Sequence, residues 1–172
     1  MKRFLPFAMA LSLSGCAVGD GSSNIATAPA APASAQEALR SYYSALKVPL
    51  PVAAANPILA NDTLITRFAF GSCVNENRGM AFWDVIAAEK PQAFLLIGDN
   101  VYGDTGSFSD AAIPTLASSY KKLSSRQEFD RFRRSVPMMT TWDDHDYGAN
   151  DAGGSFAFKE QAERIYESYW SS

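Results

Sequence analysis

Apolar positions recur along this chain in two rhythms. Residues 36–47 (QEALRSYYSALK) set Leu39, Tyr42, Tyr43 and Leu46 at helical spacing. Pro49, Pro51 and Pro57 then prevent any long element. From Leu64 the rhythm changes: LITRFAF is β-rich and ends at Gly71-Ser72-Cys73. Residues 79–89 predict a helix with Phe82, Val85 and Ile86 on one face, and Pro91 stops it. The apolar run of AFLLIGDN suits a strand buried on both faces. Residues 110–134 read as one or two helices broken near Ser124-Ser125, with Phe129 and Phe132 on the buried side. VPMMTTW is a third strand, running into Asp143-Asp144-His145-Asp146. Phe158, Ala162, Ile165 and Tyr169 mark a last amphipathic helix. Strand, helix, strand, helices, strand, helix predicts an α/β domain with parallel neighbours.

The first 35 residues follow neither rhythm. Lys2 and Arg3 precede an apolar run, Phe4 to Leu13, which is too short to span a bilayer. Residues 1–15 therefore read as an export signal. Leu13-Ser14-Gly15-Cys16 resembles the bacterial lipobox, in which the cysteine becomes the lipidated N-terminus. The plainer alternative is a secretory signal with a chance cysteine. Residues 17–35 are mostly Ala, Ser, Gly, Pro and Thr with one charge, Asp20, and read as a flexible tether. The expectation is an exported protein held on the periplasmic face or cell envelope through Cys16. Ala17 points to the outer membrane if the cell is Gram-negative. Residues 36–172 form the domain.

Composition narrows the chemistry. The 172 residues carry 47% hydrophobic and 19% charged side chains, which is globular composition for one domain. Net charge is −3, so nucleic-acid binding is not expected. Two cysteines make no disulfide scaffold, and the single histidine, His145, excludes a histidine-rich metal site. A site built mostly from carboxylates stays open.

Polar residues gather where the strands end. Three apolar strands close on GSC, GDN and DDHD, and catalytic groups of α/β sheets collect beyond the carboxyl ends of strands. Cys73, Asp99, Tyr102, Asp143, Asp144, His145 and Asp146 could converge there. Such carboxylates repel one another unless cations neutralise them. A metal site could then bind phosphate and activate water. Singly, each residue has a plainer reading. Cys73 would be a buried thiol, Asp99 a turn residue, Tyr102 a cover for the sheet end, and the aspartates with His145 a solvated loop. The basic stretch 121–134 could attract anionic substrates, but reads better as a solvated helix face.

Phe70-Gly71-Ser72-Cys73, Gly98-Asp99-Asn100-Val101-Tyr102-Gly103-Asp104 and Thr141-Trp142-Asp143-Asp144-His145-Asp146-Tyr147-Gly148, with Asn150-Asp151, together resemble the PhoD-like alkaline phosphatases. These belong to the calcineurin-like metallophosphoesterases. The resemblance covers residues 62–172. It implies the N-terminal half of a four-layer αββα sandwich. It also implies hydrolysis of phosphomonoesters or phosphodiesters by metal-bound hydroxide, serving phosphate scavenging on small phosphoester substrates. Cys73, Asp99 and Tyr102 would then hold Fe³⁺, with Asp99 bridging to Ca²⁺ on Asp144, and His145 would be catalytic, stabilising the transition state or protonating the leaving alkoxide. The sequence departs from the family by stopping early and by lacking further histidines. Hence the chain is expected to be a fragment or a prematurely ended product with little activity alone. The alternatives are a non-enzymatic lipoprotein or binding module that keeps part of the fold, and an α/β esterase. The last lacks a G-x-S-x-G elbow; Ser72 is the nearest serine.

Overall fold

The computed structural model of the protein describes residues 35–105 and 110–171. The expected signal (1–15) and the lipidated Cys16 lie outside the described residues, as does all but the last residue of the tether. Nine elements follow in chain order among the described residues: α1 (Ala35–Ala45), β1 (Phe68–Gly71), α2 (Phe82–Ala88), β2 (Ala93–Ile97), α3 (Pro114–Ser124), α4 (Gln127–Ser135), β3 (Met138–Thr141), α5 (Asp144–Tyr147) and α6 (Lys159–Trp170). The three strands are parallel, in the order β1-β2-β3. Phe70 aligns with Leu95 and Leu95 with Met139, so all three carboxyl ends lie along one edge. No described helix is long and apolar enough to cross a membrane.

The two faces of this sheet differ. Phe94, Leu96 and Met138 point to one side and are buried. There Trp83 of α2 meets the rings of Phe94, Phe129 and Phe132 at centroid separations of 5.3, 5.5 and 4.7 Å. Leu116, Tyr120 and Leu123 of α3 and Ala162, Ile165 and Tyr169 of α6 complete this core. Side chains alternate across a strand, so the opposite face carries Phe68, Phe70, Ile97 and Met139. These are 58%, 67%, 49% and 49% exposed, an apolar face left open to water among the described residues.

Several expectations need correction. β2 is buried on one face only, because no described element covers Ile97. The first strand begins at Phe68 rather than Leu64, and ahead of it the backbone link to the second strand is the Gln92 amide donating to the Arg67 carbonyl at 2.9 Å. The Gln92 side chain adds to this, accepting from the Thr66 and Arg67 amides and donating to the Leu64 carbonyl. In α2 the buried anchor is Trp83, while Phe82 and Val85 are exposed. The large indole takes the core position in a helix of only two turns. The basic stretch is not wholly solvated. Arg133 is buried, donates from Nε to the Ala54 carbonyl at 2.6 Å, and lies 5.0 Å over the Trp170 ring. The break between the two middle helices falls at Ser125-Arg126, as the pattern indicates.

Candidate metal centre

Three strand-end loops build the site. The first leaves β1 at Ser72 and Cys73. Its backbone is tied to the second loop by Cys73 N–H to Gly98 O (3.3 Å) and Val74 N–H to Asp99 O (2.8 Å). Cys73 and Asp99 both hold left-handed backbone, with φ of 61° and 48°. Non-glycine residues adopt this region at a cost, and such strain collects at functional positions. Between the loops sits Gly98 (φ 102°), where a Cβ would come within 2.7 Å of Asp143 Cβ. Only glycine lets β2 pass so close to the third loop.

Three donor atoms meet here. The Cys73 thiol donates to Asp99 Oδ2 at 3.4 Å, and the Tyr102 hydroxyl donates to the same oxygen at 3.1 Å. The other oxygen, Asp99 Oδ1, is buried with no hydrogen-bond partner. A buried carboxylate oxygen without a donor is costly, and a cation is the partner that such an oxygen fits. Asp99, Asp144 and His145 can each offer a ligand atom within 4.8 Å of the others. The Tyr102 ring lies 4.2 Å from the imidazole of His145. All five residues assigned from the sequence, Cys73, Asp99, Tyr102, Asp144 and His145, therefore come together. Cys73 is exposed, which removes its reading as a buried structural thiol.

The third loop is a helical turn rather than a solvated acidic loop. Asp143 caps α5: its side chain accepts from the Asp144 amide, and Asp146 reaches back to the Asp143 amide, completing a capping box. Asp146 is fully buried. It accepts from the Asn100 amide and side chain, from Asp143 N–H, and from the Tyr120 hydroxyl at 2.6 Å. This carboxylate locks the β2 loop, α3 and α5 together and so fixes the spacing of Asp99 and Asp144. Burial pushes it up to about 6, although its donors pull the other way.

Asp104 accepts from, or shares a proton with, His145 Nδ1 at 2.6 Å. Burial alone lowers the imidazole. The Asp104 hydrogen bond and charge, with Asp99 and Asp144, outweigh it and hold His145 above its ordinary value. Burial also pushes Asp104 upward against the pull of His145. Asp144 is held below its usual range, chiefly by the Asp151 amide at 2.5 Å. Burial, then hydrogen bonds with Cys73 and Asp99, raise Tyr102, so a phenolate there needs a cation to form.

Sequence reasoning gave no role to Asp104, Asn100 or Glu76. Asp104 closes the GDNVYGD stretch, and that position was its one signal. Glu76 had none: it sits in a polar run that reads as loop, yet is buried and accepts from the Tyr102 amide at 3.0 Å.

No family model matches this chain, and no curated protein matches it. Among solved structures, one titled "Structure of PhoD" is similar to it, with a TM-score of 0.47 and 20% identity. That likeness covers 69% of this chain and 27% of the other, so the chain spans about a quarter of that structure.

Proposed function

We propose that this chain carries the strand-end half of a metal-dependent phosphoesterase of the PhoD-like kind. The observation that carries this reading is the convergence of thiol, phenol, two carboxylates and imidazole around Asp99, whose buried Oδ1 has no partner. The donor set suits the proposed metals. Thiolate and phenolate favour Fe³⁺, and the hard oxygens of Asp99 and Asp144 favour Ca²⁺. Bound there, the cations would supply Lewis acidity toward a phosphoryl oxygen and lower the pKa of a coordinated water.

The chain's own residues supply the rest. Cys73, Asp99 and Tyr102 would hold one cation, and Asp99 with Asp144 would hold the second. Asp104 fixes the ring of His145 through Nδ1, so Nε2 faces away from that bond. Holding a proton above its ordinary pKa, the imidazole is suited to pass it to a leaving alkoxide. The second sheet of a four-layer αββα arrangement would lie on the open face of Phe68, Phe70, Ile97 and Met139. Export and lipid anchoring through Cys16 rest on the sequence of residues 1–16.

That same open face supports a second reading: a binding module that keeps part of the fold and does not turn over substrate. Iron binding and hydrolysis separate the two. Under the first reading, the purified chain retains iron through dialysis, and Tyr102→Phe removes the visible phenolate-to-iron absorption. Slow but metal-dependent hydrolysis of bis(p-nitrophenyl) phosphate completes it. A chain that holds no iron would sink the enzyme reading and leave the module.

A further inference from the structure

The β1–α2 loop holds a cation that the metal centre does not use. Cys73, Asn75, Arg78, Gly79, Phe82 and Tyr102 line a cleft of about 370 Å³. It shares Cys73 and Tyr102 with the metal centre, so a molecule in the cleft lies against the proposed iron ligands. The loop around it is firmly built. Asn77 N–H donates to Asn75 Oδ1 and Arg78 N–H to Asn75 O, both at 3.0 Å. Arg126 Nη2 donates to the Arg78 carbonyl at 2.9 Å, and buried Glu76 accepts from Tyr102 N–H. The backbone of Arg78 is thereby held from both sides.

Its guanidinium is not. Arg40, Arg131 and Arg134 each pair with a carboxylate, whereas no carboxylate lies within ion-pair distance of Arg78 among the described residues. Four other arginines donate to backbone carbonyls: Arg67 to Glu89, Arg126 to Arg78, Arg133 to Ala54 and Arg164 to Tyr43. The neighbouring centre is strongly acidic, with Asp99, Asp104 and Asp144, and would repel an anion without help. A planar guanidinium at its edge is the group suited to phosphate oxygens. Beside it, Gly79 leaves open space where a Cβ would stand, and the Phe82 ring is 41% exposed.

We propose that this cleft is the substrate subsite and that Arg78 makes it select phosphomonoester dianions carrying a small planar organic group. The inference rests on the metallophosphoesterase reading above. A monoester offers a third anionic oxygen where a diester has a neutral ester oxygen. A cation at the edge of the site, free to turn onto the phosphoryl group, therefore favours the dianion. Phe82 faces the organic group, and Asn75 adds a polar contact at the rim.

The test is calorimetric binding of phenyl phosphate and of methyl phenyl phosphate, its monoanionic diester, to the iron-loaded chain. Iron content is measured in every sample. The wild type should bind phenyl phosphate at least about tenfold more tightly than the diester, the scale of one charge-assisted hydrogen bond. Arg78→Gln should erase that preference while iron content stays unchanged, and Arg78→Lys should restore part of it. If Arg78→Gln keeps iron and keeps the preference, the subsite assignment is overturned and the metal centre stands. If the wild type holds no iron, the metallophosphoesterase reading fails, and the subsite falls with it.

Discussion

Asp146 and Asp99 sit at the carboxyl ends of neighbouring strands, and they are opposites. Asp146 is fully buried and saturated, with N–H and O–H donors from Asn100, Asp143 and Tyr120. Asp99 is half-buried, left-handed, and leaves Oδ1 without a donor. One carboxylate is spent on holding loops together. The other is kept short of partners by the same loops. An acid that only braces a fold is surrounded by donors, while an acid kept for a ligand is held under-satisfied on strained backbone.

The largest expected effect breaks the braced side. Asp146→Ala would strand the Tyr120 hydroxyl and the Asn100 and Asp143 amides, costing about 3 kcal/mol or more. Urea unfolding without metal reads it, and a loss below about 1 kcal/mol would show that the hub carries little.

Next comes pH. Asp146 is raised from 3.8 to about 6, so the folded chain takes up a proton that the unfolded chain still releases between those values. Stability of the metal-free chain should therefore rise as pH falls from about 6 toward 4. His145 is raised from 6.5, so its contribution is complete below that value and is lost as pH climbs through the folded pKa. Both make the metal-free chain more stable in mild acid than at pH 8. Denaturation across pH should show His145→Gln flattening the upper limb and Asp146→Asn the lower. Variants that leave both limbs unchanged would contradict the assignment.

On the under-satisfied side, stability and binding should part company. Asp99→Asn should leave unfolding free energy within about 1 kcal/mol of wild type, because asparagine tolerates the left-handed backbone that Asp99 already holds. The same change should weaken iron retention by tenfold or more under dialysis. A large stability loss would make Asp99 a second brace. Smallest of all, Tyr102→Phe removes one hydroxyl from a half-buried ring and should cost under about 1 kcal/mol of folding. Its mark should be spectroscopic, through the lost phenolate.

The order of elements was legible in the sequence because period-two and period-3.6 patterns are local. Ala162, Ile165 and Tyr169 are buried where the helical spacing puts them, and Phe129 and Phe132 likewise. The strand-end clusters were legible because each sits directly behind an apolar run. α5 was not, because its capping box uses aspartates that also read as an acidic loop. Nor was the exposure of Phe68, Phe70, Ile97 and Met139, since an apolar residue is written identically whether or not something covers it.

By itself, then, the sequence determined three strands, the helices between them, and a thiol, a phenol and carboxylates at the strand ends. Only the tertiary structure decided which of these touch. Cys73 reaches Asp99 across 26 positions, Asp104 reaches His145 across 41, and Asn100 reaches Asp146 across 46. Contacts at such separations are fixed by the parallel register of the sheet and by Gly98 letting two loops pass within a carbon's width. Neither leaves a local pattern in the chain.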